Sequence, residues 1–458
     1  MTDTVTAEHH RGRRWIDHWD PENAEFWAST GKKIANRNLW VSIFTEHVGF
    51  SIWSVWSVMV LFMGPSYGLS VGDKFLLTST PTLVGACARI PYTFAVAKFG
   101  GRNWTIVSAL LLLVPSIAAA IVMHPGTPLA VFLIAAVLGG FGGGNFASSM
   151  TNINAFFPER AKGVALGLNA GGGNVGVAVI QLVGLLVIAT AGTGAPRIVL
   201  SVYLPLIVIG ALCAWLYMDN IASVKNDKKG MREAMKDAHS WVMSLLYIGT
   251  FGSFIGYSFA FGLVLQNQFG RTPLQAAYVT FLGPLLGSLS RPLGGKLADR
   301  FGGGRVTCWN FAGMAVLTLL LILASEQKSL ALFTISFIVL FVLTGIGNGS
   351  TYKMIPAIFR AKALAAISAG ADERAELLRA RRLSGALIGL AGAIGAVGGL
   401  LINLAFRQSF VNTSSGVSAF VGFLVFYAVC FLVTWTVYLR KREAPVGEPG
   451  IALAGARV

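Results

Sequence analysis

Apolar residues in this chain fall into runs of roughly 20 divided by short polar segments, and each run is long enough to cross about 30 Å of hydrocarbon as a helix. Twelve runs can be read, near 39–63, 75–97, 104–123, 129–151, 164–190, 198–217, 241–265, 275–297, 305–324, 330–358, 383–406 and 417–439. They predict an all-α membrane protein. The longest polar interruptions are 218–240 and 359–382, and the first of them separates six spans from six. The expected organisation is therefore a tail at 1–38, a six-helix bundle at 39–217, a linker at 218–240, a second bundle at 241–439 and a tail at 440–458.

The two sets of six carry traces of a duplication. A shift of 202 residues lays Arg89 on Arg291, Phe99 on Phe301, Gly100 on Gly302 and Gly101 on Gly303. An arginine inside a span thus stands ten residues before the same Phe-Gly-Gly turn in both sets, which predicts two pseudo-symmetric bundles. A shift of 222 joins the fifth and eleventh spans, placing Gly167, Gly173 and Gly176 on Gly389, Gly395 and Gly398. Gly163, Gly167 and Gly171 recur every four residues on one helical face. Such a stripe serves either close helix packing or the lining of a site. Asn169 and Asn174 on the same span favour the lining role, because a buried amide must find hydrogen-bond partners.

Composition agrees with the pattern. Of the 458 residues, 54% are apolar and 12% charged, where soluble chains carry about 25% charged residues; the mean hydropathy is +0.66. The formal net charge of +16 raises nucleic acid as a partner, but the placement of the basic residues points to a lipid bilayer instead. The side bearing both tails and the even-numbered loops holds 28 Lys and Arg, against 5 in the odd-numbered loops. The positive-inside rule then places both termini in the cytoplasm of a multi-pass plasma-membrane protein. Only Arg89, Arg291 and Lys353 remain, all read as lying within spans. Cys87, Cys213, Cys308 and Cys430 show no paired spacing, so packing rather than a disulfide or zinc site is expected. Residues 1–38, with Arg11, Arg13, Arg14, Asp17, Asp20 and Glu22, have no apolar core of a signal peptide. Trp15, Trp19, Phe26 and Trp27 there suit an interfacial segment.

Charged side chains at mid-membrane cost about 2.5 kcal/mol or more, so each is a functional hypothesis. Symmetry brings Arg89 and Arg291 to facing positions between the bundles, where transporters place their substrates. Guanidinium is planar and forks its donors, which suits a small planar oxyanion such as nitrate or nitrite. The plain alternative is that each arginine pairs with an internal carboxylate, and few are available. Glu46 is nearly the only one. It shares a helical face with Phe50 and Trp53, and beside His47 it is a candidate for exchanging a proton. The alternative for Glu46 is a salt bridge to Lys353, and protonation would release that pair. Asn145 and Phe146 on the fourth span, Tyr247 and Phe251 on the seventh, and the polar run Gly347-Asn-Gly-Ser-Thr-Tyr-Lys353 on the tenth complete the candidates. Phe146 fits core and substrate wall equally.

Several segments in order resemble the nitrate/nitrite porters of the major facilitator superfamily, the NarK-like group. They are Ala88-Arg89-Ile-Pro-Tyr, Gly144-Asn145-Phe146-Ala-Ser-Ser-Met-Thr-Asn-Ile, Ala165-Leu-Gly-Leu-Asn169-Ala-Gly-Gly-Gly-Asn174-Val-Gly, Gly249-Thr-Phe251-Gly-Ser-Phe-Ile-Gly and Gly347-Asn-Gly-Ser-Thr. The glycine-rich fifth and eleventh spans resemble the family's paired nitrate signatures, with Ala396 where the fifth has Asn174. Gly295-Lys-Leu-Ala-Asp299-Arg300-Phe-Gly-Gly-Gly-Arg305 resembles the superfamily's loop motif, whose Asp299, Arg300 and Arg305 are the expected gating charges. The first-half copy, Ala97-Lys98-Phe-Gly-Gly-Arg102, lacks the aspartate.

The resemblance implies twelve transmembrane helices in the major facilitator fold. Arg89 and Arg291 are then an anion clamp, with Asn174, Tyr247, Phe146, Phe251 and Phe50 completing the pocket. It also associates Glu46, His47 and Lys353 with the proton-coupled branch of the family. The expected activity is proton-coupled nitrate import by a monomer, with electroneutral nitrate/nitrite exchange or another small anion as alternatives. Neither a cofactor nor an enzymatic constellation is expected: no metal-ligand spacing, nucleophile elbow or phosphate loop can be read. A channel needs no latch, and a sensor needs a soluble domain that the short tails lack.

Overall fold

A computed structural model describes residues 14–440; Arg11, Arg13 and nearly all of the tail 440–458 lie outside them. Twelve long helical spans follow one another. The first is Lys32–Trp53 and Val55–Phe62, interrupted at Ser54, whose hydroxyl bonds back to the Phe50 carbonyl at 2.8 Å. Then come Val71–Phe99, Gly101–Val122, Leu129–Phe156, Glu159–Ala191 and Pro196–Tyr217. The seventh is Ala238–Phe269, and the eighth is Pro273–Thr280 with Leu282–Phe301. The last four are Gly303–Glu326, Leu330–Ser368, Glu373–Thr413 and Val417–Leu439. Nine helices among the described residues are individually long and apolar enough to cross a membrane. The first, second and eighth spans fall short, and these are the ones that carry Glu46, Arg89 and Arg291. The same residues that dilute their hydropathy are the candidates for chemistry.

The duplication is visible in the backbone. Gly100 and Gly302 close the second and eighth spans with φ of 87° and 90° and ψ of 145° and 134°, a conformation that residues with a Cβ rarely adopt. Both Phe-Gly-Gly turns are thus the same turn.

The bundles touch closely at the end remote from the tails. There Phe75 of the second span stacks on Phe406 and Phe410 of the eleventh, with ring centroids 5.9 and 5.4 Å apart. Thr78 donates to Asn403 Oδ1 at 2.9 Å and Gln181 Nε2 to the Ser258 carbonyl at 2.8 Å, each bond crossing between halves. At the tail end the glycine stripes face open space. A Cβ built on Gly167, Gly171, Gly385 or Gly389 would meet nothing within 4 Å, and one on Gly163 only Lys353 Nζ at 4.0 Å. Nearer the middle the same two helices pack tightly. A Cβ on Gly176 would sit 2.1 Å from the His47 carbonyl oxygen, and one on Gly398 2.6 Å from Gly252 Cα. Both readings of the glycines therefore hold, each along a different stretch of helix.

The segment before the first span is not laid out as an open interfacial helix. Trp15–Ile16 pairs in parallel with Asn220–Ile221 after the sixth span. Trp19 packs edge-on against Phe156, and Trp27 lies against Phe157. Asp219 accepts from Arg37 at 2.5 Å, Asn38 at 3.0 Å and Arg14 at 3.4 Å, while Arg102 caps the sixth span through the Trp215 carbonyl. In the first half Asp219 supplies a carboxylate near the loop whose own aspartate is missing.

Overpacking against backbone costs about 1–3 kcal/mol, so Gly176→Ala is expected to lower the thermal midpoint of the purified protein while Gly167→Ala leaves it unchanged. Unfolding followed by intrinsic fluorescence in detergent checks the contrast.

Candidate functional site

Arg89 is 1% exposed and belongs to the first half, yet it reaches into the second: Nη1 donates to the Gly392 carbonyl of the eleventh span at 2.6 Å. Its Nε donates to the Gly143 carbonyl at 3.2 Å. The guanidinium carbon sits 4.5, 4.9 and 5.4 Å from the ring centres of Phe146, Phe251 and Trp53, so ring quadrupoles replace part of the lost hydration. Arg291 is 4% exposed, lies 5.0 Å from the Tyr352 ring centre and donates from Nη2 to the Tyr247 hydroxyl at 3.4 Å. Arg89 Nη2 and Arg291 Nη1 have no hydrogen-bond partner. Among the described residues no carboxylate stands within ion-pair distance of either arginine.

One aromatic ladder joins the two. Tyr352 lies 4.9 Å from Tyr247, Tyr247 stacks on Phe251 at 5.2 Å, Phe251 on Phe146 at 6.1 Å, and Phe146 meets Phe50 at 6.0 Å. Local backbone makes this possible. The seventh span widens into a π turn at Ile248–Gly252, the kind of bulge that re-aims side chains at sites. Gly252 lets that turn press on the eleventh span, because a Cβ there would be 2.7 Å from Gly398 Cα. Asn174 is buried with neither amide atom partnered. A cavity of about 260 Å³ begins at Arg89 and Phe146 and runs past Thr93 and Met150 to Lys225, Asp227, Arg381 and Arg382 at the tail end.

Glu46 is fully buried beside this cluster. Its Oε2 accepts from Asn169 Nδ2 at 2.7 Å and from the Ser149 hydroxyl, and its Oε1 has no partner. A Cβ on Gly173 would lie 2.4 Å from that Oε1. His47 Nδ1 approaches the Gly172 carbonyl at 3.3 Å. Lys353 is not where the sequence placed it. Its side chain is 42% exposed and pairs with both oxygens of Asp299 at 2.9 Å. The helix of 39 residues, Leu330–Ser368, continues past Lys353, whose long stem carries the ammonium out to Asp299. The proposed Glu46–Lys353 bridge is absent. In the loop motif, Asp299 is thus bound to Lys353, Arg300 lies over the Phe301 ring at 5.1 Å and Arg305 is exposed.

Sequence reasoning left Trp53, Ser149 and the Gly392 carbonyl outside the candidate set and named Tyr352 only within the polar run of the tenth span. Trp53 and Tyr352 carried a signal, one seven residues from Glu46 and the other beside Lys353. A serine hydroxyl and a backbone carbonyl carry none. On the linker, Arg379 and Arg382 clasp Glu233, the first at 2.5 Å. Against the cost of desolvation, these guanidiniums hold the Glu233 carboxyl below its ordinary value.

With this geometry in hand, comparison with known proteins is consistent. The family model described as Major Facilitator Superfamily matches residues 39–372. The nitrate/nitrite transporter NarU of Salmonella typhimurium is 40% identical over 452 residues, covering 94% of this chain and 97% of that protein. The probable nitrate/nitrite antiporter NarK2 of Thermus thermophilus is 34% identical, covering 93% and 97%. A solved bacterial homolog of the human lysosomal transporter Spinster, in an inward-facing and occupied conformation, superposes with a TM-score of 0.61 at 16% identity, over 87% of this chain and 95% of that one. That last likeness concerns the fold alone. By family model, by identity along nearly its whole length and by fold, this chain belongs to the NarK-like nitrate/nitrite porters of the major facilitator superfamily, multi-pass membrane transporters and not enzymes.

Proposed function

We propose that this chain carries nitrate, and nitrite, across the cytoplasmic membrane by rocking its two halves about the arginine pair, importing nitrate together with protons. One observation carries the substrate: two buried guanidiniums, one from each half, without an ion-paired carboxylate among the described residues and each with one Nη free of hydrogen bonds. A planar monovalent oxyanion satisfies both donors and neutralises charge that the bundle leaves uncompensated. Asn174, Tyr247, Phe146, Phe251 and Phe50 then form the walls, and flat rings suit a flat anion. With both termini in the cytoplasm, the cavity from Arg89 to the linker is the inward path, and the Phe75–Phe406–Phe410 stack is the closed outer gate.

Coupling rests on Glu46. Importing an anion against an inside-negative potential costs about 2.3 kcal/mol per 100 mV, and two protons per nitrate reverse the sign of the net charge moved. Glu46 is a buried carboxyl whose side-chain partners are the neutral Asn169 and Ser149, so a proton on it breaks no ion pair. His47 sits next to it on the same span. In this state Lys353 holds Asp299 rather than Glu46, so Lys353 serves the loop latch. The protein works as a monomer, each chain holding both arginines. A second reading, one-for-one nitrate/nitrite exchange, is favoured by the same uncompensated arginines: an empty carrier with two bare buried charges resists reorientation, and a carrier that moves only when loaded exchanges.

Arg89→Lys and Arg291→Lys, which keep charge but lose the fork, are expected to cut nitrate uptake into proteoliposomes at least roughly tenfold, the scale of one charge-assisted hydrogen bond; near-normal uptake in either would contradict a bidentate clamp. For coupling, wild-type uptake is expected to acidify the lumen and to follow an imposed pH gradient, and Glu46→Gln is expected to lose both responses while still binding nitrate. Uptake indifferent to pH but dependent on internal nitrite would replace symport with exchange.

A further inference from the structure

The tenth span contains a buried amide that none of these roles uses. Asn348 is 1% exposed, and neither its Oδ1 nor its Nδ2 has a hydrogen-bond partner. A buried polar group left unpaired is costly, so its direction matters. Three glycines around it fix that direction. A Cβ on Gly345 would be 1.9 Å from the Gly287 carbonyl oxygen, and one on Gly349 2.1 Å from the Arg291 carbonyl oxygen, so this face of the helix abuts the eighth span. A Cβ on Gly347 would meet Thr250 and Asn310, so that face looks to the seventh and ninth spans. At 3.6 residues per turn, position 348 falls on the arc between the seventh and eighth spans. It lies one turn before Tyr352, whose ring is beside both Arg291 and Tyr247.

We infer that Asn348 is a further ligand of the transported oxyanion, donating from Nδ2 to an oxygen that the arginine pair leaves uncovered, and that it favours nitrate over nitrite. This rests on the proposed porter function. Nitrate has three oxygens in a plane and nitrite two, so an added donor on the second-half side rewards the third oxygen. Asn174 supplies an unpartnered amide from the fifth span, and together the two amides complement the guanidiniums with neutral donors. Asn145, which a shift of 203 places at the equivalent point of the fourth span, has its Nδ2 against Gly49 and only its Oδ1 buried without a partner, so it offers no free donor.

The test uses the full-length protein, with nitrate and nitrite as probes, read by anion protection against thermal unfolding and by KM and maximal rate in proteoliposomes. Asn348→Ala is expected to weaken nitrate binding roughly tenfold, to weaken nitrite binding less, and to keep the maximal rate at saturating nitrate. Asn348→Asp keeps the side-chain shape, its folding checked by unfolding without ligand, yet it presents a carboxylate to the anion and is expected to abolish nitrate protection. Asn310→Ala removes a buried amide of the ninth span, on the side that faces Gly347, and is expected to leave both affinities as in the wild type. Unshifted nitrate affinity in both Asn348 variants, equal losses for the two anions, or the same loss in Asn310→Ala would each overturn the inference while leaving the porter reading intact. A wild-type protein that neither anion protects would overturn both.

Discussion

Two permanently charged guanidiniums sit in the interior of a membrane-spanning bundle with no carboxylate among the described residues in ion-pair contact, and the surrounding structure is arranged around that fact. Inserting an arginine at mid-membrane costs about 2.5–3.5 kcal/mol on translocation scales. Arg89 recovers part of this from three aromatic faces and two backbone carbonyls. Arg291 has one ring and one phenol. None of these partners carries a formal negative charge, so the site keeps its positive potential for a ligand instead of cancelling it internally. The aromatic ladder, the π turn of the seventh span and the close approach of Gly252 to Gly398 all serve to hold rings against those charges.

Glycine has two uses along the fifth and eleventh spans. Where those helices cross the first and seventh, a missing Cβ lets backbones touch, and the contact places Glu46 and Tyr247 against the site. Toward the tails the same repeat faces open space. A smooth helix surface there leaves room for another helix to approach closely.

Charge at the tail end is organised separately from the centre. Asp299 with Lys353 in the second half, and Asp219 with Arg14, Arg37 and Asn38 in the first, tie helix ends together. The linker helix Lys228–Lys236 is held to the eleventh span through Glu233. The Asp299 and Glu233 pairs are exposed or half-exposed, so each is individually weak, whereas Asp219 and Asn38 are buried.

The sequence by itself determined the helical membrane architecture, the duplication, the arginine pair and most of the aromatic wall. Periodicity, a rare charge in an apolar run and a repeated turn are local signals that survive without coordinates. Arg89 and Phe146, Tyr247 and Phe251 were legible for that reason. What tertiary structure alone decided was partnership. Lys353 was placed inside the membrane because its helix reads as uninterrupted, yet its half-exposed side chain turns to Asp299 and not to Glu46. Glu46 found Ser149 and Asn169, and Arg89 found the Gly392 carbonyl 303 positions away, because two bundles pressed together bring up neighbours, including bare backbone, that no spacing along one chain encodes.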